Sequence, residues 1–267
     1  MKKNLTAILT AAMITGAFTV TACAEEASAN VFVTISDGTL KLTQEEITAK
    51  DLNSDGKINI DEALFAAHEK MYHGDAAGYE SYESEYGLSL GTLWGNDCGS
   101  YGYYVNNASV MSLDDEVKDG DYINAYCFTD LETWADTYCF FDKHNAEGNE
   151  FTLALSAAGW DESYNPITIP VDGAVITIDG EKTDFVTDAE GKVTVTIDEA
   201  GSYIISAASD TQTLVPPVCI ATVTEAETGE VDAETEETAP QNPATGVSLS
   251  LAFALAAGVA FISGKRK

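Results

Sequence analysis

The sequence predicts an α+β chain, with strands and a helix in its first half and then an all-β sandwich. Three observations carry this. Asp51–Glu62 reads as a twelve-residue cation loop with helical patterns on both sides. Short apolar runs punctuated by turn residues surround it between residues 30 and 145. From 148 to 224 strand-length runs follow one another, closed by turns such as Asp179-Gly180 and Ala200-Gly201.

The loop spacing is specific. Asp51, Asn53 and Asp55 stand at positions 1, 3 and 5, where side-chain oxygens converge. Gly56 stands at position 6, where the backbone turns sharply, and Lys57 at position 7 offers its carbonyl. Asn59 at position 9 binds directly or through a water, and Glu62 at position 12 is the bidentate ligand. Calcium takes six to eight hard oxygen donors, and this loop supplies them from one short segment. Thr43-Gln44-Glu45-Glu46 reads as a capping box opening a short helical run to Lys50. Ile60, Leu64, Phe65, His68, Met71 and Tyr72 recur at helical spacing after the loop. Helix, loop and helix together resemble an EF-hand, which implies bound Ca2+. The competing reading is an acidic turn rich in Asx residues. Dockerins use similar loops in pairs, and this sequence carries one.

Charge narrows the partners. The net charge is −31, and five of the thirteen basic residues lie at the ends as Lys2, Lys3, Lys265, Arg266 and Lys267. All the others are lysines. Nucleic-acid binding is not expected of such a chain, because phosphate contacts need clustered cations.

The ends predict an address. Lys2-Lys3, an apolar run from Leu5 to Val20, and small residues up to 29 read as a signal peptide. Val20-Thr21-Ala22-Cys23 is a competing lipobox-like reading. Asn242-Pro243-Ala244-Thr245-Gly246, an apolar run over 247–263 and a basic tail resemble the sorting signal of Gram-positive surface proteins. The resemblance implies a sortase that cuts after Thr245 and joins Thr245 to cell-wall peptidoglycan. The apolar run would hold the chain in the membrane until then. Residues 225–241 are rich in Glu, Thr and Ala and read as a disordered acidic spacer.

Within 30–145, Val31–Ile35 reads as a strand, Asp37-Gly38 as a turn and Thr39–Leu42 as its return. Ser100–Val105, Asp121–Phe128 and Thr137–Phe141 read as further strands, with Asn106-Asn107 as a tight turn. Gly102-Tyr103-Tyr104-Val105-Asn106-Asn107 and Val117-Lys118-Asp119-Gly120-Asp121-Tyr122-Ile123 resemble motifs of a domain of unknown function named for the C-terminal part of transcobalamin. That resemblance implies a β-grasp-like fold, with its helix at Ile60–Tyr72, and brings in corrinoid capture as an alternative role. Seven tyrosines from Tyr72 to Tyr104 are either a binding platform or the rim of a small core.

In residues 148–224, runs at 151–155, 167–169, 175–178, 193–197, 203–207 and 218–223 predict a β-sandwich. Thr187–Val193 and Ala200–Tyr203 resemble immunoglobulin-like and prealbumin-like surface modules. Cys127 and Cys139 lie in two aromatic runs that could be neighbouring strands, so they are the first disulfide to consider; buried free thiols are the alternative.

Catalytic signatures do not assemble. His68-Glu69 and His73 have the wrong spacing for a zinc-protease helix, which needs His residues four apart. The expected role is therefore non-enzymatic: an extracellular, wall-anchored, calcium-stabilised module binding a protein or glycan. Nutrient capture and a dockerin-like scaffold role are the alternatives.

Overall fold

The structure is a computed structural model and describes residues 27–225. Strand β1 (Ser28–Ser36) buries Val31, Val33 and Ile35 completely. Its antiparallel neighbour β2 (Leu40–Lys50) buries Leu42, Ile47 and Ala49 and exposes Glu46, Thr48 and Lys50. Helix α1 (Ile60–Met71) follows, then the hairpin β3 (Glu80–Ser84) and β4 (Gly87–Thr92). β5 (Tyr101–Val105), β6 (Ala108–Ser109) and β7 (Tyr122–Cys127) complete a five-stranded sheet in the order β2-β1-β7-β5-β6. β1 and β7 are parallel, and the other pairs are antiparallel. α1 buries Ile60, Ala63, Leu64 and Ala67 in the same core as β1, β2 and β7.

The α+β expectation, a β-grasp-like domain built on an EF-hand-like helix-loop-helix, is overturned. Strand makes up 51% of the described residues and helix 6%, with one helix among them. The segment before the loop is β2 rather than a helix. Its burial alternates with period two over residues 46–50, and β1 offers it a ladder from Ser28↔Lys50 to Val33↔Glu45. Where the capping box was read, Gln44 instead takes φ +44° and donates its N–H to Thr34 Oγ1 at 3.1 Å. That is a bulge, where the pairing slips between Val33 and Ile35. Burial and pairing with β1 outweigh the local helix signal.

The second core is a two-sheet sandwich. Its strands are β8 (Thr137–Phe141), β9 (Asn145–Glu147), β10 (Glu150–Trp160), β11 (Pro166–Pro170), β12 (Val175–Ile178), β13 (Glu181–Val186), β14 (Lys192–Thr196), β15 (Gly201–Ala208), β16 (Leu214–Val215) and β17 (Cys219–Val223). One sheet runs β11-β10-β8-β16, with β14 also on β10; the other runs β13-β12-β15-β17-β9. Leu153, Leu155 and Val195 from the first sheet meet Ile176, Ile205 and Ala221 from the second, all fully buried. β8 and β9 thus belong to this core. β7 and β8 lie in different sheets, so the hairpin expected to bring Cys127 to Cys139 does not form. The leader, the spacer, the sorting motif with Thr245 and the apolar run 247–263 lie outside the described residues.

Candidate functional site

The loop is built by hydrogen bonds from its own backbone. Asp51 accepts Asp55 N–H at 3.2 Å on Oδ1 and Gly56 N–H at 2.8 Å on Oδ2. Asn53 Oδ1 accepts Asp55 N–H at 2.9 Å, and Asp55 Oδ1 accepts Lys57 N–H at 2.8 Å. Asn53 Nδ2 donates to Asp55 Oδ2 at 3.2 Å. These overlapping turns curl residues 51–57 around the three side chains. Gly56 is needed for its backbone: φ is +85°, and a β-carbon there would meet nothing.

The exit of the loop is tied down. Asn59 caps α1: its Oδ1 accepts Glu62 N–H at 2.9 Å, and Glu62 Oε2 accepts Asn59 N–H at 3.1 Å. Glu62 Oε1 also accepts Leu52 N–H at 2.6 Å, so this buried carboxylate joins both ends of the loop. The segment 113–117 completes the anchorage. Val117 N–H donates to Ile58 O at 2.8 Å, while Ile60 and Asp61 N–H donate to Asp115 O and Leu113 O. Lys57 points its amine at Glu116, 3.6 Å away, which leaves its carbonyl as the group it can offer the loop.

The predicted ligands are brought to one loop but are engaged with backbone donors. Among the described residues no group of three or more His, Cys, Asp or Glu stands at metal-holding range. The aspartate oxygens still fit a hard cation chemically, since each accepts one N–H and keeps a further lone pair, whereas Glu62 Oε1 accepts both Leu52 and Asn53 N–H and would have to release one to bind. The Asn59 side chain is committed to its cap, which leaves position 9 to a water.

His68 lies beyond the loop on α1 and is fully buried. Its Nε2 accepts Trp94 N–H at 2.9 Å, so the proton sits on Nδ1, which donates to Leu64 O at 2.6 Å. Burial holds its pKa below the ordinary histidine value. Tyr72, Tyr79 and Trp94 surround the ring at 4.9–6.0 Å between centroids. Part of the tyrosine run is therefore the wall of this core: Tyr79 donates to Asp61 Oδ1 at 2.6 Å and Tyr101 to Gly91 O at 2.6 Å.

A second feature had only a partial sequence signal. Between the two cores an open cleft of about 770 Å³ is lined by Tyr104, Asn106, Asn107, Phe140, Trp160 and Ile167, among others. Trp160 is 58% exposed at its edge. The floor is rigid: Tyr104 stacks on Tyr138 at 3.6 Å, and Tyr138 Oη donates to Asn107 Oδ1 at 2.9 Å. Tyr104, Asn106 and Asn107 belong to the Gly102–Asn107 motif, whereas Phe140, Trp160 and Ile167 come from the sandwich and join them only when the cores dock.

No family model matches the chain, and no curated protein matches it. Three solved structures show limited similarity. The N-terminal four Ig domains of Dscam1 isoform 7.44 share 12% identity over 55% of this chain and 36% of that one, with a TM-score of 0.22. The Bacteroides ovatus mixed-linkage glucan utilization locus protein SGBP-B, in complex with a mixed-linkage heptasaccharide, shares 15% over 55% and 35%, with a TM-score of 0.21. Murine CEACAM1b shares 8% over 74% and 99%, with a TM-score of 0.17. The chain spans about a third of the length of the first two. Superpositions this loose carry no argument about what this chain does.

Proposed function

We propose that this chain is an extracellular binding protein whose first core is stiffened by one calcium ion in the loop Asp51–Glu62. The supporting observation is the oxygen set curled into one loop and tied to the start of α1. Asp51, Asn53, Asp55, the Lys57 carbonyl and Glu62 would hold the ion, with a water at position 9. Loops outside cells bind calcium at about 10⁻⁴–10⁻³ M, so a single unpaired site suits that environment. Titration calorimetry of wild type and Glu62→Gln tests this. Gln retains the cap, because Glu and Gln both complete a capping box. The expected result is binding in that range for wild type and at least tenfold weaker binding for the variant. Equal heats, or none from either, would sink the assignment.

The ends fit the same reading, with secretion through residues 1–29 and sortase transfer of Thr245 to peptidoglycan. Replacing Thr245 by Ala should release the protein from the wall fraction into the membrane fraction.

The inter-core cleft favours a second reading, capture of a small ligand, because its size and aromatic lining suit one. A panel of glycans and corrinoids would be screened by Trp fluorescence and melting shift. A ligand that binds wild type and is lost in Trp160→Ala, with unchanged melting of the free protein, supports it. No shift with any member of either class counts against it.

A further inference from the structure

Four cysteines fall among the described residues, and all are reduced. Their surroundings differ. Cys139 donates to Val215 O at 3.2 Å, and Cys219 is fully buried in the sandwich core. Cys98 and Cys127 belong instead to the first core, and burial together with the neighbouring Cys98 thiol raises the Cys127 pKa. Tyr101 faces Cys127 across the β5–β7 ladder and feels both sulfurs.

The backbone explains the meeting. Cys98 lies three residues before Tyr101, and Gly99 takes φ +77° between them. That turn lets Ser100 O accept from Cys98 Sγ at 2.9 Å and from Phe128 N at 3.0 Å. The chain next to both cysteines is therefore held by the end of one ladder. Cys127 is buried, while Cys98 is half-buried at the rim of the same core.

We infer that Cys98 and Cys127 are a disulfide-forming pair that locks residues 93–98 onto the end of β7. The segment locked this way carries Trp94, whose N–H clamps His68 on α1. The disulfide would thus brace the face of the helix that follows the acidic loop.

The chemistry is exchange with a small disulfide oxidant such as oxidised glutathione. The accessible Cys98 thiolate attacks one sulfur of the oxidant, breaks its S–S bond and releases one thiolate. Cys127 then attacks the Cys98 sulfur of the mixed disulfide and expels the second. Two protein thiols lose two protons and two electrons, and the oxidant takes them up as two thiols. Burial raises the Cys127 pKa, and this persists once Cys98 is in the mixed disulfide, so the second step quickens as pH rises.

The test uses the purified full chain, reduced and then incubated with oxidised glutathione at mildly alkaline pH. After alkylation, a glutamyl-specific protease separates Cys127 from Cys139 by cutting at Glu132, and mass spectrometry maps the linkage. The expected product is a cross-linked peptide joining Cys98 and Cys127, lighter by two hydrogens than its parts. Melting should rise on the order of 10 °C over the reduced protein. Cys98→Ser and Cys127→Ser should each lose both effects, and Cys139→Ser should keep both. A different linkage, glutathione retained on Cys98, or all thiols still free would overturn the pair. A correct linkage with unchanged melting would overturn its locking role. The wild-type map stands alone if a serine variant fails to fold.

Discussion

His68 shows how one buried side chain makes stability depend on pH. Both ring nitrogens are committed, and the charged form would set an Nε2–H donor against the Trp94 N–H while leaving the Nδ1–H bond to the Leu64 carbonyl as it is. Its folded pKa lies below the unfolded value of 6.5. Above about pH 6.5 neither state takes up the proton, and the neutral clamp contributes in full. As pH falls below that value, the unfolded chain binds a proton that the folded chain refuses, so stability drops until the folded pKa is passed. Urea melts at pH 7.5 and 5.5 should therefore show a larger loss in wild type than in His68→Gln. His144 stacks on Tyr122 at 3.5 Å, its pKa is also lowered by burial, and it should account for part of the remaining slope. An equal loss in both proteins would refute the clamp. Glu62 is the other pivotal residue. Glu62→Ala removes its side of the cap and the link to Leu52 N–H, and should cost about 1–2 kcal/mol without calcium. Glu62→Gln should cost much less, and chemical denaturation in chelator separates the two.

β2 is the element where local signals and tertiary context disagree most. Its Thr-Gln-Glu-Glu opening resembles a helix start, yet Ile47 and Ala49 are buried at period two against Val31 and Ala29. Ile47→Ala should cost about 2–5 kcal/mol, because the side chain is only 1% exposed. Glu46→Gln on the exposed face should stay within about 0.5 kcal/mol. A helical segment would not reproduce that pattern over neighbouring positions, and denaturant midpoints would reveal it. β2 is also an edge strand of its sheet, and its Lys41, Glu45, Glu46 and Lys50 charges discourage pairing with other chains. Most other strands were readable because apolar residues alternate within them. β3 was not, since Glu80–Ser84 carries no apolar alternation and is held by its pairing with β4. β16 contributes only Leu214 and Val215, too short for any period to show, and is placed by parallel pairing with β8.

At the scale of the molecule, two cores meet at an aromatic joint. Tyr126, Tyr138 and Val215 are buried there, with Tyr104, Phe128 and Phe140 packed around them. Gln44 Nε2 adds a donor to Val218 O at 3.1 Å from the bulge of β2. The joint should couple the unfolding of the two cores. Calorimetry should show one transition in wild type and two in Tyr138→Ala. A Tyr104/Tyr138 double-mutant cycle should give about 0.5–1.5 kcal/mol of coupling; zero coupling with one transition in every variant would refute this role. By itself the sequence determined what depends on neighbours in the chain. The oxygen positions of Asp51–Glu62, the helix after them, the Asn106-Asn107 turn and strands β10, β11, β12, β14, β15 and β17 of the sandwich are readable from short spacings. Tertiary structure decided what depends on distant partners. It made residues 43–50 a strand, put β8 with the sandwich, placed Cys127 and Cys139 in different sheets, and opened the cleft beside Trp160. The physical reason is shared: a helix cap or turn is satisfied within a few residues, whereas a strand's ladder and a buried side chain's contacts come from remote segments, and their summed free energy outweighs local preference.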